Sequence, residues 1–228
     1  MWITLAAASF LAAASAADDA RAAVEAKMPV TRWEETIQKI EQRQAVERVP
    51  KGAMLFAGSS TIVGWDLGRF FPDMPTVNRG FGGSHIRDSV YYADRIIIPV
   101  APETIVLYAG DNDIEHGLTP EDVAEDFQQF AKKIHGALPD TRILYLSIKP
   151  SLARWDKWPA MKRANELIEV YTRTDKRLEF VDTTGVSLGP DGKPDKELLQ
   201  KDGLHLNKAG YKAWTAILAP RLKKLRGK

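Results

Sequence analysis

An α/β fold, a parallel sheet of five strands covered by helices on both faces, is predicted by three features of the sequence. Five short apolar runs recur from residue 53 onward. Helical patterns lie between most of them, and strands alternating with helices imply βαβ units. The runs are apolar along nearly their whole length, as strands buried on both faces are. At 228 residues the chain can bury one sizeable core, and it is short for two.

The N-terminus "MWITLAAASFLAAASAADDA" carries an apolar stretch from Trp2 to Ala14, then Ala14-Ser15-Ala16 before an acidic segment. That is a short h-region with a small-x-small cleavage signature, so residues 1–16 read as a signal peptide. They are too few to span a bilayer, which takes about 20 apolar residues. No Lys or Arg precedes Arg21, so the usual basic start is missing. The expectation is an exported chain, periplasmic or secreted, that begins near Ala17. Residues 17–30, rich in Ala and charge and closed by Pro29, read as a linker to a single domain over 31–228.

"TRWEETIQKIEQRQ" opens with Thr31 and Glu34 at capping-box spacing. Trp33, Ile37 and Ile40 share one face, so this helix packs onto the domain. The predicted strands are "AMLFAG" 53–58, "TVNRG" 76–80, "TIVLYAG" 104–110, "RILYLSI" 142–148 and "LEFVD" 178–182. Helical patterns cover 86–98, 120–137, 159–175 and 207–225. Pro120 suits a first helical turn. Asn207 can cap the last helix, whose stripe is Tyr211, Trp214, Ile217, Leu218 and Leu222.

Composition excludes several function classes. The net charge is +2, with its one basic cluster, "RLKKLRGK", at the C-terminus, which gives no footprint for nucleic acid. There is no cysteine, so disulfides and thiolate metal sites are ruled out. "DNDIEH" has His116 where a calcium loop needs its glycine, and "GFGGSH" lacks the last glycine of a dinucleotide fingerprint. No cofactor and no metal is indicated, and no stable membrane insertion is expected of the mature chain.

In open parallel sheets ligands bind beyond the carboxyl ends of the strands. There the sequence places Ser59-Ser60, "NRGFGGSH", "GDNDIEH", "KPSLARWDKW" and, past the fifth strand, "KDGLHLNKAG". Asp202 lies three residues before His205, close enough for a carboxylate to bind Nδ1–H and leave Nε2 as a base. Glycines at 80, 82 and 83 let a carbonyl oxygen approach backbone N–H groups. Each signal alone is weak, since capping Asp, turn Asn and turn Gly are common. A serine, a glycine N–H, an asparagine amide and an Asp–His pair together supply every part of acyl transfer.

"FAGSSTI", "NRGFGGS", "AGDND" and "DGLHLNKAGY" resemble, in order, the four blocks of the SGNH hydrolases, also called GDSL esterases and lipases. The resemblance covers roughly residues 50 to 222. It implies a three-layer α/β/α sandwich with a flavodoxin-like sheet, and a serine hydrolase that cleaves carboxylic esters through an acyl-enzyme. Carried over by motif, Ser60 is the nucleophile, and Asp202 and His205 are the acid–base pair. The oxyanion hole is then the Ser60 N–H, the Gly83 N–H and the Asn112 amide. Where the family usually has Gly-Asp-Ser, this chain has Gly58-Ser59-Ser60, so Ser59 stands for an aspartate.

"GVSLG" at 185–189 matches a different hydrolase motif, but "GPDGKP" follows it instead of the helix that motif needs, so Ser187 reads as a loop residue. His135 reads as a surface residue of a helix, and His85 as a residue near the rim. Trp65, His116, Arg154, Trp155 and Trp158 are the candidate substrate rim, with Lys157 beside them. No long apolar lid is evident, which favours short-chain or acetyl esters, including acetylated carbohydrate, as the partner substrate. Two other readings remain: a non-catalytic glycan-binding module, and a lipase, thioesterase or lysophospholipase for longer chains.

Overall fold

The computed structural model describes residues 19–50 and 52–226; the segment read as a signal peptide, 1–16, lies outside them. Strands β1 (Met54–Gly58), β2 (Thr76–Gly80), β3 (Thr104–Tyr108), β4 (Arg142–Leu146) and β5 (Leu178–Val181) form one sheet in the order β2-β1-β3-β4-β5. All four pairings are parallel. The order reverses direction between β1 and β3, which opens a crevice at their carboxyl ends. Gly58 pairs with Gly80 on one side and Tyr108 on the other, so three strand ends stand level at that crevice.

The helices, in chain order, are α1 (residues 19–27), α2 (Glu34–Val46), α3 (Ser60–Val63), α4 (Leu67–Phe70), α5 (Ile86–Ile96), α6 (Asp111–Glu115), α7 (Pro120–Ala137), α8 (Trp158–Thr172), α9 (Thr184–Ser187) and α10 (Lys208–Arg226). The period of two along each strand divides the core between them. Leu55, Ala57, Ile105, Leu107, Ile143 and Tyr145 face α2, α5, α7 and α8. Met54, Phe56, Val106, Tyr108, Leu144 and Leu146 face α3, α4 and α10. Each fully buried large side chain contributes about 1.5–3 kcal/mol. This is the three-layer sandwich expected, with no helix among the described residues long and apolar enough to cross a membrane.

Local chemistry sets the helix ends. Thr119 and Asp122 form a capping box ahead of Pro120. Asn207 Oδ1 accepts from the Ala209 and Gly210 amides at 2.8 and 3.1 Å, as its position predicts. β3 and β4 each end two residues early. Gly110, at φ +116°, turns the chain into α6, and a Cβ there would lie 2.7 Å from Ile148 Cδ1.

Three local expectations are corrected. Residues 19–27 of the expected linker are helical, and Arg21 binds Asp126 at 2.5 Å and Asp122 at 3.2 Å. An alanine-rich segment is a good helix former once a partner holds it. Thr31 and Glu34 form no capping box, because Val30–Trp33 wind as a 3₁₀ turn and α2 starts at Glu34 without a side-chain cap. Asp88 organises that turn, accepting from Arg32 Nη2 at 2.6 Å and Trp33 Nε1 at 3.0 Å. Ser187 ends a four-residue helix instead of sitting in a loop, and its Oγ donates to the Thr183 carbonyl at 2.8 Å.

Candidate active site

The site is assembled at the strand ends by close backbone approaches. A Cβ on Gly58, at φ +118°, would lie 1.9 Å from the Tyr108 carbonyl oxygen, so only glycine fits. That approach lets Ser59 N–H donate to the Tyr108 carbonyl at 2.9 Å. Ser59 is fully buried in extended backbone, and Ser60 opens α3 with its side chain at the crevice. As a first-turn residue Ser60 has an N–H outside the helix ladder.

β2 delivers the second wall. Phe81 N–H donates to the Gly58 carbonyl at 2.9 Å, and a Cβ on Gly82 would lie 3.7 Å from Ser60 Cβ. Gly83 takes a left-handed conformation at φ +78°, with Trp33 packed 3.3 Å from where its Cβ would be. Among the described residues, neither Ser60 N–H nor Gly83 N–H has a backbone acceptor. Asn112, on α6 beyond β3, donates through Nδ2 to the Ser84 carbonyl at 3.1 Å, which ties the two loops together.

The turn after the 3₁₀ helix Lys196–Leu198 brings in the other half. Asp202 Oδ1 accepts from the Leu204 and His205 amides at 2.9 and 3.0 Å. Its Oδ2 lies 2.6 Å from His205 Nδ1. The bond from His205, followed by that from the Leu204 amide, holds the Asp202 carboxyl down at about 2. A carboxylate only accepts, so Nδ1 carries the proton and the Nε2 lone pair faces Ser60 Oγ at 2.9 Å. His205 and Asp202 keep 34% and 46% of their side chains exposed, so the site is open to solvent.

Ser60, His205 and Asp202 are joined in line by these contacts, and Asn112 is tied to the Ser84 carbonyl next to Gly83. The predicted rim fares unevenly. Trp65 is not on it: only 2% exposed, it packs among Phe56, Phe71, Tyr211 and Trp214. The turn at Gly64 sends the following side chain back toward the sheet, where apolar surface is buried. Trp155 and Trp158 stack on each other, 6.2 Å between centroids and 11° between planes, and both are half-buried. Lys157 pairs with its neighbour Asp156 at 3.5 Å. Arg154 points inward: Nη1 donates to Asp111 Oδ2 at 2.9 Å and Nη2 to Asn112 Oδ1 at 3.1 Å.

The remaining histidines pack differently from expectation. His85 is fully buried, and its Nε2 lies 2.7 Å from Nδ1 of His116. Burial, then Arg32 and Arg87, pushes His85 down to about 3, and burial with Arg154 lowers His116. The two rings thus share one neutral hydrogen bond. His135 is half-buried against the Thr141 carbonyl at 3.0 Å. Sequence reasoning missed the Ser84 carbonyl, the Trp33 wall and the inward role of Arg154, because all three are contacts between segments distant in the chain.

Such an arrangement can remove a proton from a hydroxyl. Comparison with known proteins agrees in kind. Residues 52–213 match the GDSL-like lipase/acylhydrolase family. A Streptococcus pneumonia protein provisionally described as a platelet activating factor is 25% identical, with TM-score 0.75 over 89% of this chain and 99% of that one. A provisionally named acylhydrolase from Bacteroides fragilis is 20% identical, with TM-score 0.71 over 82% and 95%. A catalytic mutant of an acetylxylan esterase from Geobacillus stearothermophilus is 14% identical, with TM-score 0.59 over 78% and 96%. No curated protein matches the sequence.

Proposed function

The chain belongs to the GDSL-like lipase/acylhydrolase family and is a carboxylic-ester hydrolase; from that premise we propose that Ser60 is its nucleophile and short acyl esters its substrates. The observation that carries the reading is the unbroken line of contacts from Ser60 Oγ through the His205 ring to Asp202.

His205 Nε2 takes the Ser60 proton as Oγ attacks the ester carbonyl, and Asp202 stabilises the imidazolium that results. The oxyanion is met by the Ser60 and Gly83 N–H groups and the Asn112 amide. His205 then protonates the departing alcohol, the acyl group stays on Ser60, and water repeats the sequence to release the acid. Ser59 takes no part, since its hydroxyl is buried away from the cleft.

A base and orienter a third to a half exposed suit a small acyl group better than a long chain that needs an apolar channel. Acetyl esters, including acetylated saccharides, fit that shape, and the fold shared with an acetylxylan esterase is in keeping with them. A panel of esters from acetyl to long-chain, with acetylated saccharides, tests this against the Ser60→Ala protein. The shortest acyl groups should be cleaved fastest. A preference for long chains overturns the substrate reading, and an active Ser60→Ala protein overturns the nucleophile. Residues 1–16 support export, which an exported chain beginning near Ala17 would establish.

A further inference from the structure

We propose that Arg154 is a positioning residue for the oxyanion hole, acting through Asn112; the inference rests on the reading of Asn112 as an oxyanion donor. A carboxamide has one acceptor oxygen and two N–H bonds. In Asn112 the oxygen accepts from Arg154 Nη2 at 3.1 Å, and Nδ2 donates to the Ser84 carbonyl at 3.1 Å. The flipped amide would set N–H against guanidinium and oxygen against carbonyl, two repulsive contacts in place of two favourable ones. Arg154 therefore fixes which end of the amide meets the Ser84 loop, and the second N–H is left for the substrate oxygen. A cation on the amide oxygen also draws electron density from the nitrogen and strengthens its N–H as a donor.

The guanidinium is itself held. Nη1 donates to Asp111 Oδ2 at 2.9 Å, with the two side chains 12% and 7% exposed. Nε lies 3.7 Å from Glu115. The planar fork spans adjacent residues Asp111 and Asn112 at once, which the point charge of a lysine cannot do. The loop bearing Arg154 is fastened to the catalytic turn, since Ala153 N–H donates to the Gly203 carbonyl at 3.1 Å, one residue past Asp202. One segment thus braces both the base and the hole.

The alternative is an ion pair with Asp111 that only stabilises the fold. A double-mutant cycle on p-nitrophenyl acetate separates the two. Asn112→Ala should lower kcat by about a hundred- to a thousandfold. Arg154→Met should lower kcat by about ten- to a hundredfold, part of the loss of the donor itself, with KM changed by less than about threefold. In the Asn112→Ala background the same Arg154→Met change should cost less than about threefold, because the group it positions is gone. Arg154→Lys keeps the charge beside Asp111, so it should recover the melting temperature and leave kcat depressed; it also reads the cycle if the methionine variant does not fold. Wild-type kcat in Arg154→Met, or losses that multiply in the double variant, overturns the inference. Full activity in Asn112→Ala would instead overturn the oxyanion reading, and this inference with it.

Discussion

Ser60 Oγ and His205 Nε2 stand 2.9 Å apart although 145 residues separate them in the chain. The contact holds because each residue is fixed locally before they meet. Gly58 packs against the Tyr108 carbonyl and sets Ser60 at the start of α3, while Asp202 binds two amides of its own turn and aims the imidazole. Ser60→Ala removes the attacking oxygen and leaves both local structures intact. It should lower ester hydrolysis by about 10⁴-fold or more at an unchanged melting temperature, and abolish labelling by a serine-reactive organophosphate.

Ser59 gives the opposite expectation from the next position. It is fully buried, and its Oγ has no partner among the described residues. What the chain needs there is the N–H that donates to Tyr108, and any L-residue in extended backbone supplies it. A buried hydroxyl without a partner carries a desolvation cost that alanine does not. Ser59→Ala should retain most of the activity, with stability unchanged or higher by up to about 1 kcal/mol in a denaturant titration. A loss of kcat comparable to that of Ser60→Ala would reverse the assignment of the two serines.

The same pair shows how far the sequence could be read. Strands, their parallel pairing and the helix starts at Pro120 and Asn207 follow from short-range pattern, and the structure repeats them within two residues. The Asp202–His205 unit is equally local. Trp65 reads as a rim residue because an aromatic after a strand-end serine can face either way, and only the path of the chain through Gly64 turns it into the core. Arg154 looked like a rim residue because its partners, Asp111 and Asn112, lie on another strand's loop. Residues 17–30 read as a linker, and Thr31 with Glu34 as a cap, because the carboxylates that hold Arg21 and Arg32 belong to α7 and α5. Long-range polar contacts leave no periodic trace.

The acid limb of the pH profile should carry a single proton. Asp202 is held near 2 by the His205 bond and its backbone amides, so it stays charged down to about pH 4. His85 is held near 3 by burial and does not charge either. The proton that matters is then the one that removes the base, and log kcat/KM should leave its plateau on the acid side with a limiting slope of one. A slope of two would mean a second ionisation in the constellation and would remove Asp202 from its role as a permanent carboxylate.

The docked N-terminal helix should make stability depend on pH through Asp126. This carboxyl is 1% exposed, and burial raises it from 3.8 to about 6 against the pull of Arg21 and Arg87, with Asp122 and Asp113 also facing it. A folded value above the unfolded one means that the folded state binds the proton more tightly. The stabilisation from this group is therefore complete below about pH 4 and is lost as pH rises through 6. Two units correspond to about 3 kcal/mol. Asp126→Asn has no proton to lose, so its melting temperature relative to the wild type should rise between pH 4 and pH 7, whatever the fixed cost of losing the Arg21 ion pair. A constant offset across that range would place the Asp126 proton elsewhere and leave the helix docking independent of pH.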